Sequence, residues 1–438
     1  MAYTIKDILR LEVAPALGCT EPAAVALGAA AAAALLPDRN IDSIELELDP
    51  NIYKNGLAVA IPGARGAAGI DLAAALGAFG GDPSRRLQAL ETVTPESLKQ
   101  AETFVREGRV HINVLRDRRS LFVKTRIRSG ERTAESEISD LHDNIVSLSL
   151  DGRVLSDHPL LAAKAREKSD VREAEAWLAG LTLEQLVALL DGLDADDLAF
   201  LKEGIDCNMK LAEYGLAFGP GLGVGLTLER LVREGLLKKD MITAAKILAS
   251  AAADARMSGV ELPAMSSSGS GNHGLTAILP VRAVRDYIAD VDETRLLRAV
   301  GLSHVITAYI KAHTGRLTAV CGCSIAAGAG ATAGIAYLMG GNVRHIAGAI
   351  KNVVGDLAGV ICDGAKAGCA LKLATAAGNA VQSALFSLHG LDIKGTDGIV
   401  AHSPEDTMKN LGELSTQGMI EADRTILDIM IRKRFDVP

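Results

Sequence analysis

The chain has 438 residues, 46 Lys and Arg against 54 Asp and Glu, a formal charge of −8, 48% apolar residues and only 3% aromatic ones. That length exceeds one compact core and predicts two or three domains. The acidic balance, without a basic stripe, argues against nucleic acid as a partner. Six cysteines in so long a chain do not make a disulfide framework, so a reducing cytoplasm is the expected setting.

The first segment, MAYTIKDILRLEV, carries charges where a signal peptide needs an unbroken apolar core. In PALGCTEP, Thr20 reads as an N-cap and Pro22 as a first-turn proline, so a helix is predicted to start here. Cys19 would stand at its N-terminus, where the helix dipole favours thiolate, as a nucleophile, base or ligand. A buried cysteine beside an ordinary cap is the plainer alternative. The apolar run Ala23–Leu36 is shorter than the roughly 20 residues that cross a bilayer. It is stopped by Pro37 and rich in alanine, so a buried helix is expected and no membrane contact. SIELELDP alternates as a half-exposed strand. The following segment, Asn51 to Gly56 and IPGARG, reads as loops presenting Tyr53, Lys54 and Arg65.

HINVLRD, LFVKTRIRS and AESEISD alternate in the same way and predict an antiparallel meander with one wet face. Around Ser156 the period changes to three and four, the helical spacing. From Leu201 on nearly everything reads as helix, broken at glycine-rich joints at 219–225, 266–274 and Cys321-Gly-Cys323. The predicted organisation is an α+β region over residues 1–155 and a large, mostly α-helical domain over 156–438.

Four cysteines, Cys321, Cys323, Cys362 and Cys369, crowd into the C-terminal third. Thiolates are soft ligands for zinc, copper(I) or iron–sulfur clusters. The spacing matches neither paired CxxC knuckles nor a ferredoxin run. Either the fold assembles a site or the thiols serve as small buried hydrophobes. The loop SSSGSGNHG offers the hydroxyls of Ser266, Ser267, Ser268 and Ser270, the Asn272 amide and backbone N–H groups, which suit a carboxylate or phosphate. His273 could shuttle a proton, or be a turn histidine without a role. A similar serine–glycine–asparagine loop holds substrate in pyridoxal-phosphate dehydratases, but their phosphate loop and a convincing lysine are not found. GPGLGVG does not follow a convincing strand and justifies no nucleotide fingerprint.

Together, PALGCTEPAAVALG, DPNIYKNG, EISDLHDNIVSL, SGSGNHG and CDGAKAGCALK resemble the L-cysteine desulfidase family across essentially the whole chain. That family is related to the alpha chain of iron–sulfur L-serine dehydratases, whose Gly-Cys followed by small residues corresponds to 322–323. The resemblance implies a [4Fe-4S] cluster held by Cys323, Cys362 and Cys369, with one iron open to substrate. The last two cysteines are closer together than in the dehydratases, which makes Cys19 the natural substitute for Cys369; Cys321 has no counterpart there. The implied reaction is β-elimination of L-cysteine to pyruvate, ammonia and hydrogen sulfide. In it Cys19 is the base, and Ser268, Asn272, His273 and Lys366 meet the small amino-acid substrate. The alternatives are an L-serine dehydratase on the same cluster and a non-catalytic iron–sulfur redox sensor. Alanine- and glycine-rich helices suit a homo-oligomer.

Overall fold

The computed structural model describes residues 3–118, 120–161, 173–315 and 318–435; the predicted helical stretch from Leu160 to Leu201 falls partly outside them. Two cores organise the chain. The first is built on a six-stranded sheet, β1 (Pro15–Leu17) and β8 (Pro263–Met265) forming a separate pair. The sheet runs β3 (Val110–Val114), β2 (Ser43–Leu48), β4 (Phe122–Ser129), β5 (Arg132–Ser139), β6 (Ile145–Leu150) and β7 (Arg153–Val154). β4 and β5 pair antiparallel as expected and β6 and β7 extend the meander, whereas β3, expected as its first strand, lies across β2 and runs parallel to it. A parallel pair needs a long crossover, here the helices α3 (Pro50–Gly56), α4 (Ile70–Gly80) and α5 (Pro95–Arg106).

The alternation read in SIELEL has its physical basis in the two faces. Ile44, Leu46 and Leu48 are buried with Val123, Ile127 and Ile138 under α2 (Thr20–Ala33) and α4; burying each such side chain favours folding by about 1.5–3 kcal/mol. The outer face is a charge ladder in which Arg126 bonds Glu135 at 2.6 Å and Glu45 at 3.2 Å. Helix α2 is buried on all sides, as its alanine-dominated sequence predicts. It starts at Thr20, so its N-cap is Cys19 rather than Thr20.

The second core is helical. It gathers α6 (Leu183–Ala188), α7 (Ala195–Phe218), α9 (Met241–Met257), α10 (Gly271–Arg285), α11 (Glu293–Thr314), α12 (Gly322–Leu338), α13 (Val343–Leu357), α14 (Cys369–Leu388) and α15 (Pro404–Glu413); α8 (Val224–Arg233) packs against it through Val224. A single cut at residue 155 does not describe the packing. Ile5, Ile8 and Leu9 of α1 (Ile5–Glu12) belong to the helical core. Leu427 and Ile431 of α16 (Ile420–Phe435) pack into the sheet core. Each half thus carries one end of the other's chain. Among the described residues no helix is long and apolar enough to cross a membrane.

Candidate active site

Two short pairings bring the cysteines together. Strand β1 runs antiparallel to β8, matching Pro15 to Met265 and Leu17 to Pro263. The register continues in Ser266 N–H to Ala14 O (2.8 Å) and Ser268 N–H to Glu12 O (2.7 Å). It brings the serine loop to the start of α2, where the Thr20 hydroxyl oxygen lies 3.4 Å from Gly269 O. The second pairing is a bridge between Val320 and Ile361. Cys321 N–H donates to Val360 O at 2.8 Å and Cys362 N–H to Ala319 O at 2.6 Å. The Cys321-Gly-Cys323 turn at the start of α12 thereby meets the Cys362 loop. Cys369 opens α14, its sulfur 3.7 Å from Gly364 O, and packs with Cys19, Val59 and Met257.

The thiols sense one another. The Cys323 thiol donates to Cys321, which lowers the Cys321 pKa below the usual thiol range. Cys323, the donor, is raised well above it by Cys321, burial and the charges of Cys369 and Cys362. Burial raises Cys362 and carries Cys369 to about 11. The charges of Cys321, Cys362 and Cys369 all act on Cys323, which places the three predicted cysteines and Cys321 in one neighbourhood. Cationic side chains border the group. Lys54 and Lys372 act on Cys362, and Lys366 on Cys369. Asp363, despite burial, is held at about 2 by its pairing with Lys366 and Lys372.

Cys19 departs from the helix-dipole expectation. Burial and the Glu21 charge raise its pKa well above the ordinary thiol value, against the opposing pull of Arg256. It is a thiol donating to Glu21 Oε2 at 3.0 Å. Burial works against the Glu21 charge, but His142, Cys19 and Arg256 together hold its pKa below the usual range. Its other oxygen accepts from Asn55 Nδ2 at 3.0 Å, and Asn55 Oδ1 lies 4.0 Å from the Cys362 sulfur. Asn55 and Lys54 are not on a loop. Asp49 caps α3 by accepting from Asn51 and Ile52 N–H, and Pro50 is pre-set for the first turn. That helix buries Tyr53 and Lys54, and Lys54 is ion-paired with Asp423 of α16.

Of the predicted substrate contacts, Ser268, one residue before the Gly269 carbonyl that Thr20 faces, holds φ +46 with its buried hydroxyl unpartnered among the described residues. His273 donates from Nδ1 to Ser267 O at 3.1 Å, a carbonyl being only an acceptor. Its Nε2 is pressed against the thiol turn, since a Cβ on Gly322 would stand 2.4 Å from it. Asn272 is turned inward, Oδ1 accepting from Arg256 Nη1 at 2.9 Å and Nδ2 reaching Met257 Sδ at 3.5 Å. Lys366 is not brought to this loop; it bonds Asp363 and the carbonyls of Asp363 and Gly364. Arg256, Glu21, Asn55 and Lys372 were missed. Glu21 and Asn55 lie inside the PALGCTEP and DPNIYKNG motifs, whereas nothing in an alanine-rich helix singles out Arg256.

Among the described residues no three His, Cys, Asp or Glu side chains converge on one metal ion. A cluster asks for something else, since each thiolate takes its own iron and the sulfurs flank a cage. The donor set fits that demand: soft thiols close enough to act on one another's charge, lysines beside them, and the buried Ser324 hydroxyl supporting the Cys321 sulfur.

A family model described as serine dehydratase alpha chain matches residues 84–428. The chain belongs to the serine dehydratase alpha chain family. A UPF0597 protein of Desulfatibacillum aliphaticivorans is 60% identical over 437 residues, covering 99% of both chains. One from Desulfotalea psychrophila is 59% identical over 434 residues, again covering 99% of each. A third, from Clostridioides difficile, is 43% identical over 424 residues, 97% of this chain and 98% of that one.

Proposed function

We propose that the chain is an iron–sulfur-dependent lyase eliminating hydrogen sulfide from L-cysteine, with pyruvate and ammonia as the other products. The meeting of Cys321, Cys323, Cys362 and Cys369 beside Lys54, Lys366 and Lys372 carries this reading. Cys323, Cys362 and Cys369 would hold the cluster, with Cys321 as a neighbouring donor. When bound, a cluster with three protein thiolates supplies a Lewis-acidic iron that polarises the substrate.

The remaining chemistry falls to groups of this chain. His273, with Nδ1 donating to Ser267 O, offers Nε2 as the acceptor for the Cα proton. Cys19, held as a thiol, is suited to give its Sγ proton to the departing sulfur, a change from the base that its position in sequence suggests. The enamine left behind hydrolyses to pyruvate and ammonia. Ser268 contributes a free hydroxyl to the substrate. Asn272 acts through Arg256, and Lys366 holds the Cys362–Cys369 loop.

L-Serine is the second reading, favoured by the description of the matching family; five ordered motifs resembling desulfidases support L-cysteine. The test is anaerobic purification, an absorption spectrum, and sulfide and pyruvate assays on L-cysteine beside pyruvate from L-serine. Brown protein releasing equal sulfide and pyruvate from L-cysteine is the expected result. Protein that stays colourless and iron-free after reconstitution would refute the cluster, and pyruvate from L-serine alone would refute the desulfidase assignment.

A further inference from the structure

Two opposite charges are buried beside Cys19 without neutralising each other at contact distance. Arg256, near the end of α9, is 2% exposed, and among the described residues it makes no ion pair. Its Nη2 donates to Gly18 O at 2.6 Å and its Nη1 to Asn272, while its buried Nε–H has no partner among the described residues. Gly271 lets the start of α10 approach the guanidinium closely, because a Cβ there would stand 2.4 Å from Nε. Glu21 is 7% exposed and surrounded by donors, the Cys19 thiol, the Thr20 hydroxyl and the Asn55 amide; the charge of His142 faces it from the β5–β6 turn.

Burying a guanidinium with an unsatisfied donor disfavours folding. A second costly feature lies in the serine loop. Ser268 is 3% exposed and holds a left-handed backbone that glycine adopts more readily, yet its hydroxyl bonds nothing among the described residues. A buried cation and a buried anion that both act on one thiol are complementary to a molecule bearing both charges.

We infer that Arg256 and Glu21 are the recognition pair for the zwitterion of the substrate, Arg256 taking the α-carboxylate and Glu21 the α-ammonium. The inference rests on the amino-acid lyase reading above and adds which end of the amino acid meets which side chain. Ser268 Oγ is the second donor to the carboxylate. The Nε–H edge of Arg256 matches a carboxylate in a way a lysine cannot. The pair selects α-amino acids over thiols that lack either group.

The test uses two half-substrates against the cluster-loaded enzyme, 3-mercaptopropionate with only the carboxylate and cysteamine with only the amine. Binding is measured by anaerobic calorimetry. R256K should weaken 3-mercaptopropionate about tenfold or more, the worth of a charged hydrogen bond, and leave cysteamine within about twofold. E21Q should do the reverse. R256Q with iron content and melting temperature checks the charge itself, and R256K serves alone if that variant does not fold. Both ligands weakened alike, or neither weakened, in R256K and E21Q would overturn the pairing. If L-cysteine is not turned over, the same crossover with 3-hydroxypropionate and ethanolamine would sustain the pairing while the desulfidase reading falls.

Discussion

Gly364, two residues after Cys362, adopts φ +91, and a Cβ built on it stands 2.2 Å from the carbonyl oxygen of Lys54. Ordinary contact is roughly 1 Å longer, so Gly364→Ala must force the Cys362 loop and α3 apart. The obstacle is backbone on both sides, and no rotamer relieves it. A non-glycine residue in that conformation costs about 1–3 kcal/mol, and overpacking a close contact costs a further ~1–3 kcal/mol. A loss of at least about 2 kcal/mol is therefore expected even if α3 relaxes. Parting the two segments also takes Asn55 from Cys362 and Lys54 from the thiol group. Urea unfolding followed by circular dichroism reads the first effect, and iron content after anaerobic reconstitution reads the second. A variant within about 0.5 kcal/mol of the parent, with full iron, would show that this contact does not position Cys362.

Asp423→Asn leaves Lys54 buried at 1% exposure without its carboxylate. Because Asp423 is partly exposed, the cost should fall near the lower end of the ~3–5 kcal/mol for breaking a buried pair; an unchanged urea midpoint would contradict it. In iron-free protein, Cys323→Ala removes the thiol that donates to Cys321, so the thiolate absorbance of Cys321 should appear at higher pH than in the parent. An unmoved titration would remove that hydrogen bond from the account. Burial raises Asp49 to about 6, above the ordinary carboxylate value of 3.8, against three backbone N–H donors. Its contribution is then fully present below pH 3.8 and lost as pH rises through 6. The stability gap between the parent and Asp49→Asn should narrow over that window by up to about 3 kcal/mol; a gap constant with pH would refute it.

The sheet was legible because its inner and outer residues alternate along SIELEL and its partners, with the charge ladder outside. Helix α2 was legible from its alanine run, although the cap moved by one residue to Cys19. Helix α3 was missed because asparagines and a glycine suggested a turn, while Asp49-Pro50 was a sufficient start signal. The cysteines could be picked out as candidates, but which thiols meet is decided by the 320–361 bridge, whose two hydrogen bonds leave no mark in composition. Cys19 shows the limit of local inference. It does stand at the helix end, yet burial and Glu21, a neighbour two residues away whose orientation is tertiary, raise its pKa instead of lowering it. Arg256 lacked any local signal, because its burial depends on Gly18 and Asn272, far from it or set by the fold.

The exchange of chain ends between the two cores bears on when the thiol site can close. Domains emerging from the ribosome fold N-terminal first, at about 5–20 residues per second. Here Cys19 is among the first residues made, but its neighbour Cys369 comes near the end, and Lys54 finds Asp423 only in the last helix. Helix α1 likewise waits for α11, with which it shares the helical core. The sheet half can form early, but the thiols stay apart until synthesis is nearly complete. Closure of the latch over Lys54 therefore comes last, and a chain cut short before α16 would carry all six cysteines without it.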